Sequence, residues 1–292
     1  MATGFGITKA GAMSKKTRAD LIDIVLYVIL PCNIFNAFHK GTTPEVLRQC
    51  FVAMLAAFGM QLLYMIINRI AFNRIPLERR VVFQYATIVN NAAFIGLPVI
   101  GTIFGATGIL YASVALIPMR IFMWTMGLSL FTDMELKKRL KTLCTHPCIW
   151  AVILGVVYIF VPFTLPAFLA DTIATISACT TVVPMFVVGS ILSDVKPRDV
   201  LDKDCLYYSL FRLIIIPAIM LGALILLHID PLVTGVVVLL AAMPASTTSV
   251  MLAEKYDRDS NFAAKTILVS TILSIITLPL IAEALRALGI RS

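Results

Sequence analysis

Nine long apolar runs, separated by short charged loops, set the strongest constraint on this chain. They lie at 21–38, 50–68, 81–104, 108–131, 148–163, 172–193, 205–228, 231–253 and 261–282. A helix rising about 1.5 Å per residue needs roughly 20 apolar residues to cross the hydrocarbon of a bilayer. Nearly all the runs reach that length; the run at 148–163 does so only by continuing through Pro162. None alternates apolar and polar residues as strands of a membrane barrel do. Charged residues are only 14% of the chain and the mean hydropathy is +0.95, whereas soluble domains carry roughly 25% charge. The sequence therefore predicts an all-α polytopic membrane protein with nine full transmembrane helices, its solvent being the lipid bilayer.

The loops are too short to hold a soluble domain. The opening stretch "MATGFGITKAGAMSKK" has no apolar core long enough for a cleavable signal peptide. The six cysteines are scattered, which suits reduced thiols better than a disulfide framework. "CTHPC", Cys144 to Cys148, is a weak match to zinc spacing, so no metal and no cofactor is expected. The net charge of +8 is not a nucleic-acid footprint, because 17 of the 24 basic residues fall in alternate loops, around Lys9–Arg18, Arg69–Arg80, Lys137–Lys141, Lys196–Lys203 and Lys255–Arg258. That is the positive-inside pattern and makes those loops cytoplasmic, in a cell membrane, with the prokaryotic plasma membrane the expected one.

The charged loop 133–146 divides the chain, and similar features recur on either side of it. Pro31 and Pro184 sit in mid-span 153 residues apart, the spans opening at Cys50 and Cys205 are 155 apart, and Pro98 and Pro244 are 146 apart. Two five-helix repeats follow, 1–132 and 147–292, and an odd number of helices per repeat inverts one against the other. Five and five require ten helices. "GFGITKAGAMS", Gly4 to Ser14, reads as the cytoplasmic end of a truncated first helix, with upstream coding sequence the expected source of the rest.

Within this frame "NNAAFIGLPVIG", Asn90 to Gly101, stands out. Proline removes a helix hydrogen bond and clashes with the preceding turn, and in lipid the freed backbone groups must find partners. Gly96 with Pro98 argues for one interrupted helix and Pro244 for a second. Half-helix N-termini aimed at such a break make an anion site. Asn90, Asn91, Ser246, Thr247 and Thr248 supply polar side chains there, and Ser249 is close by. Arg120 and Arg212 lie inside apolar runs, where a guanidinium costs about 2.5–3.5 kcal/mol on insertion scales. Each meets either freed carbonyls or an anionic substrate; snorkelling suits Arg212 better than Arg120. Pro31, Asn33 and Pro184 are weaker candidates.

The motif Asn91-Ala92-Ala93-Phe94-Ile95-Gly96-Leu97-Pro98 resembles the N-x-x-F-I-G-x-P signature of the auxin efflux carrier family, which includes plant auxin exporters and prokaryotic malate permease-like proteins. "IVLYVILP" at Ile24–Pro31 followed by Asn33 and Phe35 is similar to its second helix, "GFGITKAGAMS" to the end of its first, and "AAMPASTTSVMLAEKY" at Ala241–Tyr256 to its ninth. The resemblance covers essentially the whole chain. It implies ten helices in two inverted repeats, with broken fourth and ninth helices crossing near the midplane. It also implies a scaffold of helices at about 1–40 and 147–195, a transport domain at about 45–132 and 203–288, a homodimer, and small organic anions as substrates. The family's crossover asparagine corresponds to Asn91. Where many relatives carry an asparagine four residues after the second proline, this chain has Thr248.

The function expected is secondary transport of a small organic anion, such as a carboxylate, by alternating access at the crossing of the two broken helices. A non-transporting or regulatory membrane protein is the alternative that the short first helix raises. An intramembrane enzyme is a third class and would need a paired-carboxylate, Ser/Lys or metal constellation at membrane depth. The sequence holds no H-E-x-x-H or GxGD motif, only three histidines, at 39, 146 and 228, and no P-loop for direct use of ATP. The charge pattern gives a direct prediction. A membrane-impermeant thiol reagent added to sealed cells leaves Cys144 unmodified until the membrane is permeabilised; rapid labelling in sealed cells contradicts the assigned orientation.

Overall fold

Helix Pro44–Ile70 shows how an apolar run becomes a membrane element. Phe51, Leu55, Phe58, Leu62 and Ile66 recur every three or four residues on one face and are exposed, while Cys50, Ala53, Ala57, Met60, Tyr64 and Ile67 line the other face and are buried. Leaving such a stripe in water would cost about 1.5–3 kcal/mol per large side chain; against lipid tails that cost vanishes. Helices Ile216–Leu226 and Ser260–Ala287 carry similar outward faces, at Ile219, Ile225 and Leu226 and at Ile272, Ile275, Ile276 and Leu280.

The computed structural model describes residues 2–36, 44–131, 147–160, 164–193 and 202–290. In chain order the helices are Ala2–Lys9; Lys15–Ile24, continuing through a π-turn at Val25–Ile29 into Leu30–Asn36; Pro44–Ile70; Leu77–Ile88; a π-turn at Ala92–Gly96 leading into Leu97–Phe122; a π-turn at Met123–Gly127 leading into Leu128–Phe131; Pro147–Phe160; Ala167–Leu192; Lys203–Leu210, continuing through a π-turn at Phe211–Ile215 into Ile216–Leu226; Pro231–Ala241; Thr247–Lys255; and Ser260–Ala287. Among the described residues, six helical stretches are long and apolar enough to cross a membrane: Lys15–Asn36, Arg48–Ile70, Thr107–Phe131, Ala167–Ile191, Lys203–Leu226 and Ser260–Ala287. The other three apolar runs of the sequence are the two interrupted helices and the 14-residue helix Pro147–Phe160. The linker 133–146, and with it Cys144 and His146, lies outside the described residues.

The prolines act differently from the expectation. Pro31, Pro98 and Pro217 each follow a π-turn by two residues. The residue four before each proline, whose carbonyl the ring would strike in an α-helix, is the middle residue of that π-turn. The wider turn absorbs both the clash and the missing N–H. Pro184 lies within the continuous helix Ala167–Leu192. The expected interruption at Gly96–Pro98 is therefore corrected: the helix breaks earlier, at Val89–Asn91, and the chain is already helical again when it reaches Pro98.

Two groups of helices can be distinguished, joined where Ala167–Leu192 also packs on Thr247–Lys255 and Ser260–Ala287. Ala2–Lys9 and the helical stretch from Lys15 to Asn36 gather around Ala167–Leu192, and Pro147–Phe160 packs on Leu30–Asn36. Gly4 is pressed against the backbone of Phe186, where an added Cβ would lie 2.2 Å from its carbonyl oxygen. Pro44–Ile70 instead packs on Leu97–Phe122 and Pro231–Ala241, and Ser260–Ala287 packs on Lys203–Leu210 and Thr247–Lys255. Between the groups, Arg18 pairs with Glu254 at 2.9 Å, Asp23 pairs with Lys255, and the Lys255 ammonium lies 4.3 Å from the centre of the Tyr27 ring.

Helix Leu97–Phe122 turns sharply at Gly105, whose φ of 65° and ψ of −158° separate the end of the first interrupted helix from the next span. That region is essentially restricted to glycine. A Cβ added at Gly105 meets nothing within 4 Å, so the cost of a side chain there is backbone strain alone. Gly105→Ala is predicted to lower unfolding free energy by about 1–3 kcal/mol, read as a fall in melting temperature of the purified protein. An unchanged melting temperature contradicts the assigned turn.

Candidate functional site

The two interruptions meet. The first helix stops at Ile88, and Val89 is extended with φ −119° and ψ 109°. Helical geometry resumes at Ala92. The second stops at Ala241 and resumes at Thr247, with Ser246 as N-cap. Asn90 and Ala245 form an isolated antiparallel bridge, and the Asn91 N–H donates to the Pro244 carbonyl at 2.8 Å. Four helix ends thus converge, two ending and two beginning, with all of Val89–Ala92 and Ala242–Ser249 buried. Gly96 lies against the second segment: an added Cβ would sit 3.3 Å from Met243 Cγ and 3.5 Å from Leu240 Cδ2.

Elsewhere, hydroxyls on the helices satisfy themselves on their own backbones. Ser113 donates to Ile109 O, Thr125 to Ile121 O, Ser209 to Cys205 O and Thr266 to Phe262 O. The convergence point divides its polar residues in two. Asn90 is fully engaged: Nδ2 donates to Leu240 O at 2.5 Å and Oδ1 accepts from the Ala92 N–H at 3.2 Å. Ser246 Oγ accepts from the Thr248 N–H and shares a 2.8 Å hydrogen bond with Thr248 Oγ1, which also accepts from the Tyr85 hydroxyl at 3.3 Å. Ser249 donates to Ser246 O, and Ser270 Oγ accepts from the Ala245 N–H. In contrast, neither Nδ2 nor Oδ1 of Asn91 has a hydrogen-bond partner, nor has Thr247 Oγ1, although Asn91 is 1% exposed and Thr247 0%. Buried polar side chains are nearly always satisfied; these stand beside two helix N-termini, at Ala92 and Thr247.

The two buried arginines have exchanged places relative to the sequence reading. Arg120, the stronger candidate there, donates from Nη1 to Ile34 O at 2.9 Å and to Asn33 O at 3.4 Å, at the end of helix Leu30–Asn36, and from Nη2 to Asn33 Oδ1 at 3.5 Å. Asn33 in turn donates from Nδ2 to Ser177 Oγ at 3.1 Å. Arg120 and Asn33 therefore belong to a junction between the two helix groups rather than to the convergence, and Pro31 lies two residues before Asn33 on the same helix. Arg212 is the arginine at the convergence, donating from Nε to Met243 O at 3.0 Å and from Nη1 to Thr87 O at 3.2 Å. Sequence reasoning missed Tyr85, Thr87 and Tyr64, whose apolar surroundings in sequence hide them. The only signal was register. Aligning the two halves at the offset of 153 given by Pro31 and Pro184, rather than at 146, sets Asn91 opposite Pro244.

Comparison with known proteins places the chain among membrane transporters. An uncharacterized transporter of Methanothermobacter thermautotrophicus is 27% identical over 284 residues, an alignment covering 95% of this chain and 92% of that protein. The family described as membrane transport protein matches residues 1–282. With its helices apolar on their outer faces and two of them broken and paired, the chain belongs to this family of auxin efflux carrier-type membrane transport proteins.

Proposed function

We propose that the protein is a secondary permease for a small organic anion, with its site at the crossing of the two broken helices. The observation that carries this reading is the pair of buried, unpartnered polar groups, the Asn91 amide and the Thr247 hydroxyl, where two helix N-termini converge. Helix N-termini carry a partial positive charge and unpaired N–H groups. The Asn91 amide adds a donor and an acceptor, enough to hold a carboxylate by one oxygen and leave the rest of the molecule to neighbouring apolar side chains. No enzyme chemistry is proposed for these groups.

The offsets near 153 and the antiparallel meeting of the breaks support two inverted five-helix repeats, the arrangement in which carriers place substrate near the bilayer midplane. The packing supports a division into a scaffold, at about 1–40 and 147–195, and a moving domain at about 45–132 and 203–288 that carries the crossing. Alternating access then consists of one group shifting against the other. The basic loops face the cytoplasm, and two copies associate through the bilayer.

Uptake by the purified protein in proteoliposomes, across a panel of carboxylates, tests the assignment. Asn91→Ala is predicted to leave the melting temperature close to wild type, since its side chain holds nothing, and to weaken transport of the accepted carboxylate. One hydrogen bond to a charged partner is worth roughly 1.5–3 kcal/mol, or about ten- to a hundred-fold in affinity. Asn90→Ala does the reverse, lowering melting temperature first because two backbone groups lose their partner. An Asn91→Ala protein that transports normally per folded molecule rejects the site.

A further inference from the structure

Arg212 is fully buried in the π-turn Phe211–Ile215, and none of the ion pairs among the described residues involves it. Its guanidinium reaches one carbonyl from each interruption: Thr87 O, next to the end of helix Leu77–Ile88, and Met243 O, just past the end of Pro231–Ala241. The Tyr64 ring closes the third side, its centroid 4.8 Å from Arg212 Cζ. Each helix C-terminus carries roughly half a negative charge, so two such ends present about one unit to one fixed positive charge. In membrane carriers, unwound carbonyls and half-helix C-termini are where a coupled cation sits.

We propose that Arg212 is a positioning residue which ties the two interruptions into one unit and supplies from within the chain the positive charge that their carbonyl ends require. It acts through Thr87 and Met243, keeping the Asn91 and Thr247 groups in register across the crossing. Its planar fork suits two carbonyls on separate segments, and the tyrosine face adds a cation–π contact in a desolvated setting. The consequence for transport rests on the crossing being the transport site; the tie itself does not, and is measured without any substrate.

The test is backbone hydrogen exchange on the full chain in lipid nanodiscs, following one amide from each interruption. Asn91 N–H is bonded to Pro244 O, and Ala245 N–H to Ser270 Oγ. Arg212→Gln keeps a donor and removes the charge; it is expected to speed exchange at both amides at least tenfold, while amides within Ala167–Leu192 do not change. Arg212→Lys keeps the charge without the planar fork and is expected to fall between wild type and the glutamine variant. Glutamine behaving as lysine does, or acceleration at only one interruption, overturns the proposal. If Arg212→Gln does not fold, Tyr64→Leu serves: it removes the ring that braces the guanidinium, and a rise of two- to fivefold at both amides is expected. No change at either then overturns the tie.

Discussion

Everything at the centre of this molecule follows from one requirement: inside hydrocarbon, a backbone N–H or carbonyl released from a helix must be bonded to something. The chain releases such groups twice, at Val89–Asn91 and at Ala242–Ser246, and each break answers the other through the Asn91 N–H on Pro244 O. Two isolated breaks would each be costly. Paired, they close a short antiparallel bridge between segments 153 to 155 residues apart, and the surrounding residues complete the account. Asn90 takes one carbonyl and one amide, Ser270 takes an amide, and Arg212 takes two carbonyls. Gly96 packs against the Met243 and Leu240 side chains beside the second break.

Much of this was legible in the sequence. The apolar runs located the membrane helices because length and hydropathy in lipid are nearly sufficient, and the six long stretches all fall on predicted runs. The Asn90–Asn91 pair and Pro244 marked the right regions because asparagine and proline both disfavour helix interiors. What sequence could not show was how each proline is accommodated. A π-turn and a true break answer the same local problem at Pro98, and tertiary contacts choose between them. The fates of Arg120 and Arg212 were equally hidden. Both sit in apolar runs, and only the fold decides that one meets the carbonyls of Asn33 and Ile34 and the other those of Thr87 and Met243.

The division of labour at the crossing has a simple physical sense. Asn90, Ser246 and Thr248 already hold backbone or neighbouring side-chain groups together. Groups left without partners are buried at a cost of about 1–3 kcal/mol each, which an anion between the helix N-termini would offset. The two helix groups meet at the Arg18–Glu254 pair, at the Arg120 bonds to Asn33 and Ile34, and where Ala167–Leu192 packs on Thr247–Lys255 and Ser260–Ala287.

The most direct test of anion binding at the crossing is a structure of the protein in a bilayer with a brominated carboxylate that it has been shown to transport, with the bromine located by its anomalous signal. Our account predicts one peak beside Asn91 and Thr247, between the N-termini at Ala92 and Thr247. A peak elsewhere, with the Asn91 and Thr247 groups unoccupied by the anion, would contradict it.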